Sequence, residues 1–188
     1  MGLRLIRTAR RAGVEALPLL QRAHELAMEP RHRLLDDDHD PRYLHPGRTA
    51  LVCLTDGEMR DPVALAASLL VDTVSPELAP VPDALSRIHA SHELHEAFSL
   101  RDRIPRPFGE GLAEALITTE PEVRVLALAE WLDQLRHLRL WAAGPAVSSA
   151  QRVTEEVYLP VAERTHTTLA RRFRWWVRRV GPGLNASS

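Results

Sequence analysis

The chain of 188 residues contains no lysine; all 24 residues of its Lys+Arg count are arginine. That absence excludes Schiff-base catalysis and a phosphate-binding P-loop, both of which need the lysine ammonium. A single cysteine, Cys53, excludes an internal disulfide and a cysteine-based zinc cluster. No stretch approaches the roughly 18 uncharged residues that a membrane-crossing helix needs. Residues 1–11 carry arginines at 4, 7, 10 and 11 and no long apolar run, unlike a secretory signal. Ile6 stands where a myristoylation signal behind Gly2 requires Ser or Thr. A cytoplasmic location is the resulting expectation, and Asn185-Ala186-Ser187 is then a sequon without meaning. The formal net charge of −1 gives no bulk reason to expect a nucleic-acid or membrane partner.

Strand signals are also scarce. No alternating apolar run is bounded by Asn-Gly or Asp-Gly, and β-branched residues are scattered. Leu, Ala, Arg and Glu recur instead at helical spacing, so the fold class expected is all-α, a multi-helix bundle without significant sheet. Helices are predicted over 11–35, from Pro46 to just before Gly57, from Pro62 to about Val74, over 83–98, 108–118 and 121–143, and over 147–180 with a kink at Pro160. Asp61 is the expected N-cap of the third. That helix, Val63 to Val71, has no charge on any side and must be buried. The organisation expected is one domain: an N-terminal helix and acidic loop at 1–40, a helical core at 41–168, and a basic, aromatic helix end with a frayed tail at 169–188.

Three residues stand out chemically. Asp72 follows the uncharged helix, where a carboxylate is costly unless paired, and it lies close to the unfavourable end of the helix dipole. It needs a cation, either a metal or an arginine such as Arg48 or Arg136. Glu130, Asp133, Gln134 and His137 share one stripe of the 121–143 helix, which is either a site wall or a solvated face. His45 opens the second helix beside Pro46, as a ligand or a packing residue. Nine histidines are many for this length, and His89, His92 and His95, with Glu93 and Glu96, have the spacing with which one helix face offers two metal ligands, although an exposed polar helix is the default reading of such a run. In Arg171-Arg172-Phe173-Arg174-Trp175-Trp176-Val177-Arg178-Arg179, the apolar spacing of Leu169, Phe173, Trp176 and Val180 points to packing, against the domain or a second copy, with arginines outside. A basic, Trp-bearing helix also suits anionic lipid or RNA.

Several segments, taken in order, resemble the hydrolase domain of RelA/SpoT-type alarmone enzymes, a branch of the HD-type phosphohydrolases. His45-Pro46-x-x-Thr49-Ala50 is similar to that family's His-Pro-x-x-Val-Ala. Ala66-Ala67-Ser68-Leu69-Leu70-Val71-Asp72-Thr73-Val74 resembles its Ala-Ala-Leu-Leu-His-Asp-Val-Val, and Phe108-Gly109-x-x-Leu112-Ala113 its Phe-Gly-x-x-Val-Ala. Residues 125–136 resemble its Lys-Leu-Ala-Asp-Arg-Leu-x-Asn-Leu-Arg, and Tyr158-Leu159-Pro160-Val161-Ala162-Glu163-Arg164 its Tyr-x-Pro-Leu-Ala-Glu-Arg. The resemblance implies a divalent ion, usually manganese, held by a His, a His-Asp pair and a later Asp. It also implies a Glu-Asp pair that helps the ion activate water to remove the 3′-pyrophosphate of (p)ppGpp.

Carried over residue by residue, the implied metal set is His45, Asp72 and Glu130. The HD histidine has become Val71, the Glu-Asp pair aligns with Ser75 and Pro76, and Ala127 and Trp131 replace the basic residues flanking the Leu-Ala-Asp segment. Gln134 takes the place of an Asn near the base, and Arg48, Asp133 and Arg136 complete the implied ligand-binding set. Two function classes follow. One is a manganese-type phosphohydrolase with a rebuilt site, acting on a nucleotide or another phosphate ester. The other is a non-catalytic binding, regulatory or assembly module on the same scaffold, with no metal, with an arginine partner for Asp72, and with the C-terminal aromatic helix available for self-association.

Overall fold

The computed structural model describes residues 1–31, 42–71, 84–105, 111–138 and 145–179. Every regular element among these residues is helical, and none is a strand. The chain is therefore an all-α protein. No described helix is long and apolar enough to cross a membrane. The backbone divides into two compact units, residues 1–103 and 104–188.

The N-terminal unit holds α1 (Gly2–Arg11), α2 (Leu17–Met28), α3 (His45–Thr55), α4 (Pro62–Leu69), α5 (Ala84–Ala90) and α6 (His92–Asp102). The expected helix over 11–35 is replaced by α1 and α2. The break is a complete C-terminal cap. Gly13 takes φ +80°, its N–H donates to the Arg10 carbonyl, and the Val14 N–H reaches back to the Ala9 carbonyl. Val14 is buried against the helix end, and Pro18 then starts α2 within its first turn.

α4 is the hub of this unit, packing against α2, α3 and α6. Asp61 caps it as expected, accepting from the Ala64 N–H at 2.9 Å and the Val63 N–H at 3.4 Å. Ala64, Leu65, Ala66, Ala67, Ser68 and Leu69 are all buried. The Ser68 hydroxyl donates to the Leu65 carbonyl at 2.6 Å, so its polarity is satisfied within the helix. α4 ends at Leu69, short of the expected end near Val74. The carbonyl of Val71 is taken by the side chain of Arg101, through Nε at 3.0 Å and Nη2 at 2.9 Å. Expected as one helix over 83–98, the next stretch is two, because Ser91 turns extended (φ −111°, ψ 122°) and opens α6 as its N-cap.

The C-terminal unit holds α7 (Leu112–Thr118), α8 (Pro121–His137), α9 (Pro145–Val153), a π-turn over Thr154–Tyr158, α10 (Leu159–Glu163) and α11 (Thr167–Arg179). Val125, Leu128, Leu132 and Leu135 of α8 face the core as expected. The expected kink at Pro160 takes the form of the π-turn. Proline has no N–H for the carbonyl four residues back and its ring pushes that carbonyl away, so the chain widens by one residue there. The true break comes later, at residues 164–166, before α11 packs back on α8 and α10.

Candidate functional site

His45 is the first residue of α3 and is only 7 % exposed, with the buried Thr49 one helical turn on. Thr49 stands where the resembled motif has valine, and its hydroxyl finds no hydrogen-bond partner among the described residues. Arg48, on the same helix, is half-buried. Asp72, Ser75 and Pro76 lie outside the described residues, as do Phe108 and Gly109.

Val71 does not. Its side chain is 1 % exposed and cannot ligate a metal. The Arg101 guanidinium that grips its carbonyl lies over the Phe98 ring at 5.1 Å and pairs with Asp102. A guanidinium keeps its charge at any pH a protein survives. The place where the resemblance puts a histidine next to a dication therefore holds an aliphatic side chain and a fixed positive charge.

In the C-terminal unit the α8 stripe divides. Glu130 and Gln134 are half-buried, Arg136 is exposed, and Asp133 is 1 % exposed. The His137 Nδ1 lies 2.9 Å from the Asp133 carbonyl and 3.9 Å from its carboxylate, so the acid and imidazole of this stripe face each other within the helix. Among the described residues, no three His, Cys, Asp or Glu side chains converge as a metal group. His45 and Arg48 belong to the N-terminal unit, and Glu130, Asp133, Gln134 and Arg136 to the C-terminal one.

Gln134 also borders a cavity of about 310 Å³ between α8 and α9, with Trp131, Leu138, Ser149 and Val153. Trp131, which replaces a basic residue of the resembled motif, is locked in place. Its indole N–H donates to the Thr154 hydroxyl at 2.9 Å, and its ring stacks on Tyr158 at 4.9 Å and 10°. The Thr154 hydroxyl in turn donates to the Ala150 carbonyl at 2.6 Å. The π-turn thus places both Thr154 and Tyr158 against one tryptophan. A mostly apolar wall with one amide and one hydroxyl suits a small apolar group and not a polyphosphate.

The expected packing of the C-terminal helix holds within this unit. Leu169, Phe173 and Trp176 are buried, and the Trp176 indole donates to the Leu135 carbonyl at 3.3 Å; Val180 lies outside the described residues. Arg171, Arg172, Arg174, Arg178 and Arg179 are exposed.

Two buried arginines escaped the sequence reading. Arg101 lies one helical turn beyond Ala97 on the buried face of α6. Arg31 lies one turn beyond Ala27, donating to its carbonyl at 2.6 Å and to that of Arg42 at 3.1 Å. Both continue an apolar stripe, which was the available signal. No protein-family model matches the sequence, and a search of curated proteins finds no match.

Proposed function

We propose that the chain is a divergent HD-type helical domain that has lost metal-dependent phosphohydrolase chemistry and serves as a binding or regulatory module. The observation that carries this reading is Arg101. Its two hydrogen bonds to the Val71 carbonyl set a permanent cation beside the peptide that leads into Asp72. A metal ion placed there would share a poorly solvated setting with this guanidinium, whose charge the half-exposed Asp102 offsets only in part. The sequence adds that Ser75 and Pro76 cannot act as an acid–base pair.

The test is an assay for pyrophosphate and phosphate release with added manganese, over guanosine tetraphosphate and a panel of nucleotides and phosphate esters. The reading expects release no greater than in the protein-free blank. Manganese-dependent turnover that disappears in Asp72→Ala overturns it and restores the enzyme reading, with His45, Asp72 and Glu130 as ligands.

A further inference from the structure

We propose that the corner between α5 and α6 is a binding site for a transition-metal ion of the copper(II) and nickel(II) class, with His89 and His95 as its two protein ligands. This site shares no residue with the implied set His45, Asp72 and Glu130 and does not rest on the functional reading above.

The Nδ1 atoms of His89 and His95 lie 3.0 Å apart, with ring centroids 5.0 Å apart and planes at 53°. Both side chains are exposed, so core packing does not force this approach. The backbone delivers it. Ser91 bends the chain between the two helices, and the buried Ile88 and Leu94 anchor one helix on each side of the bend. His89 also rests edge-on against Phe98, at 6.2 Å and 75°, and Phe98 is backed by the Arg101 guanidinium. The two imidazoles thus start within hydrogen-bond distance of each other, and what remains on binding is to exchange that contact for the ion by a turn of each ring.

The ligand type and the general affinity order select the class of ion. With metal–nitrogen bonds of about 2.0–2.1 Å, adjacent ligands in a square-planar or tetragonal site sit roughly 2.9 Å apart, and in a tetrahedral site roughly 3.3 Å. The 3.0 Å separation lies between these two values, so both geometries are within reach. Imidazole suits copper(II) and nickel(II), and copper(II) binds most tightly in the general affinity order. Binding needs both Nδ1 lone pairs, so the ion displaces whatever Nδ1 proton the pair shares, and each exposed ring can turn to aim its lone pair at the metal.

The Arg101 guanidinium behind Phe98 is paired with Asp102. Arg87 is paired with Glu29 in a two-point contact, and Arg22 with Glu93 at 2.8 Å. Glu93 is thus committed to an arginine. No third His, Cys, Asp or Glu among the described residues completes the cluster, so water or an added ligand fills the other positions.

The test uses the full, untagged, metal-free chain, titrated with copper(II) and nickel(II) by calorimetry, with electron spin resonance on the copper form. The tightest ion should bind at one per chain and show two imidazole nitrogens. His89→Asn and His95→Asn should each weaken it by about a hundredfold, the loss expected when a chelate becomes a single contact. His92→Asn should change it by less than about twofold in the same chelate argument. Circular dichroism equal to the parent's verifies that these exposed substitutions leave the fold intact. Unchanged affinity in the double variant His89→Asn/His95→Asn, a single-imidazole spectrum, or an equal loss in His92→Asn overturns the assignment.

Discussion

The two compact units build their cores from different material. In the N-terminal unit the central helix α4 offers Ala64, Ala66, Ala67 and Ser68 to its neighbours, and small residues let α2, α3 and α6 come in on several sides at once. In the C-terminal unit an aromatic cluster joins the aliphatic core: Trp131 stacks on Tyr158, Tyr158 lies 6.3 Å from Phe173, and Trp176 is buried with its indole on the α8 carbonyl of Leu135. All four tryptophans, at 131, 141, 175 and 176, fall in this half of the chain. A small-residue core fails when something is added, and an aromatic core fails when something is removed. Arginines satisfy backbone carbonyls in both units, Arg31 and Arg101 in the N-terminal one and Arg124 in the C-terminal one, where indole N–H groups add bonds to the Thr154 hydroxyl and the Leu135 carbonyl.

The largest effect that sharpens this contrast is Phe173→Ala, which should cost about 3–5 kcal/mol as an aromatic deletion in a packed core. Urea unfolding followed by tryptophan fluorescence reads it directly, since every tryptophan lies in that half; a loss near zero would show that the aromatic stack is dispensable. Next comes Ala66→Leu in α4. Overpacking there should cost about 1–3 kcal/mol, measured by circular dichroism in urea. If Ala66→Leu were tolerated without loss, the close-packed description of α4 would fail.

A gain is expected from Thr49→Val. It removes a buried hydroxyl that has no partner among the described residues and keeps the shape, so stability should rise by about 1 kcal/mol. A loss on Thr49→Val would mean that the hydroxyl is used.

The smallest effect is a pH dependence from His24. Burial first, then the ammonium of Met1, lower its pKa below the ordinary 6.5, against a weaker opposing pull from Glu25. The unfolded chain therefore binds the proton more readily than the folded one. Above about 6.5 the residue is neutral in both states and costs nothing; as pH falls below that value stability declines, until the lowered folded pKa is passed. His24→Asn should flatten this part of the Tm-against-pH curve, and an unchanged curve would assign the effect elsewhere.

The sequence made the helical class and several boundaries legible. Asp61-Pro62 announced the start of α4 because a carboxylate cap and a first-turn proline act locally. The stripe Leu169, Phe173, Trp176 announced the buried face of α11 for the same reason. Boundaries set by tertiary contacts were not legible. Gly13 ends α1 through a cap that also needs Val14 to find a buried seat, and α4 stops where an arginine some thirty residues away claims the Val71 carbonyl. The candidate site divided likewise. Residue types showed what Val71 cannot do, but Arg101 was missed because charge on a helix is expected to face water. The histidines of α5 and α6 were legible as a spacing. Their true pairing, His89 with His95, depended on a bend at Ser91 that a continuous helix would not have.

The most direct test of the claim that an arginine has taken over from the metal is manganese binding itself. Chelator-stripped protein mixed with equimolar manganese(II) should leave the spin-resonance signal of the free hydrated ion at full strength. A signal quenched by the parent protein and restored by substituting Asp72 would contradict the account.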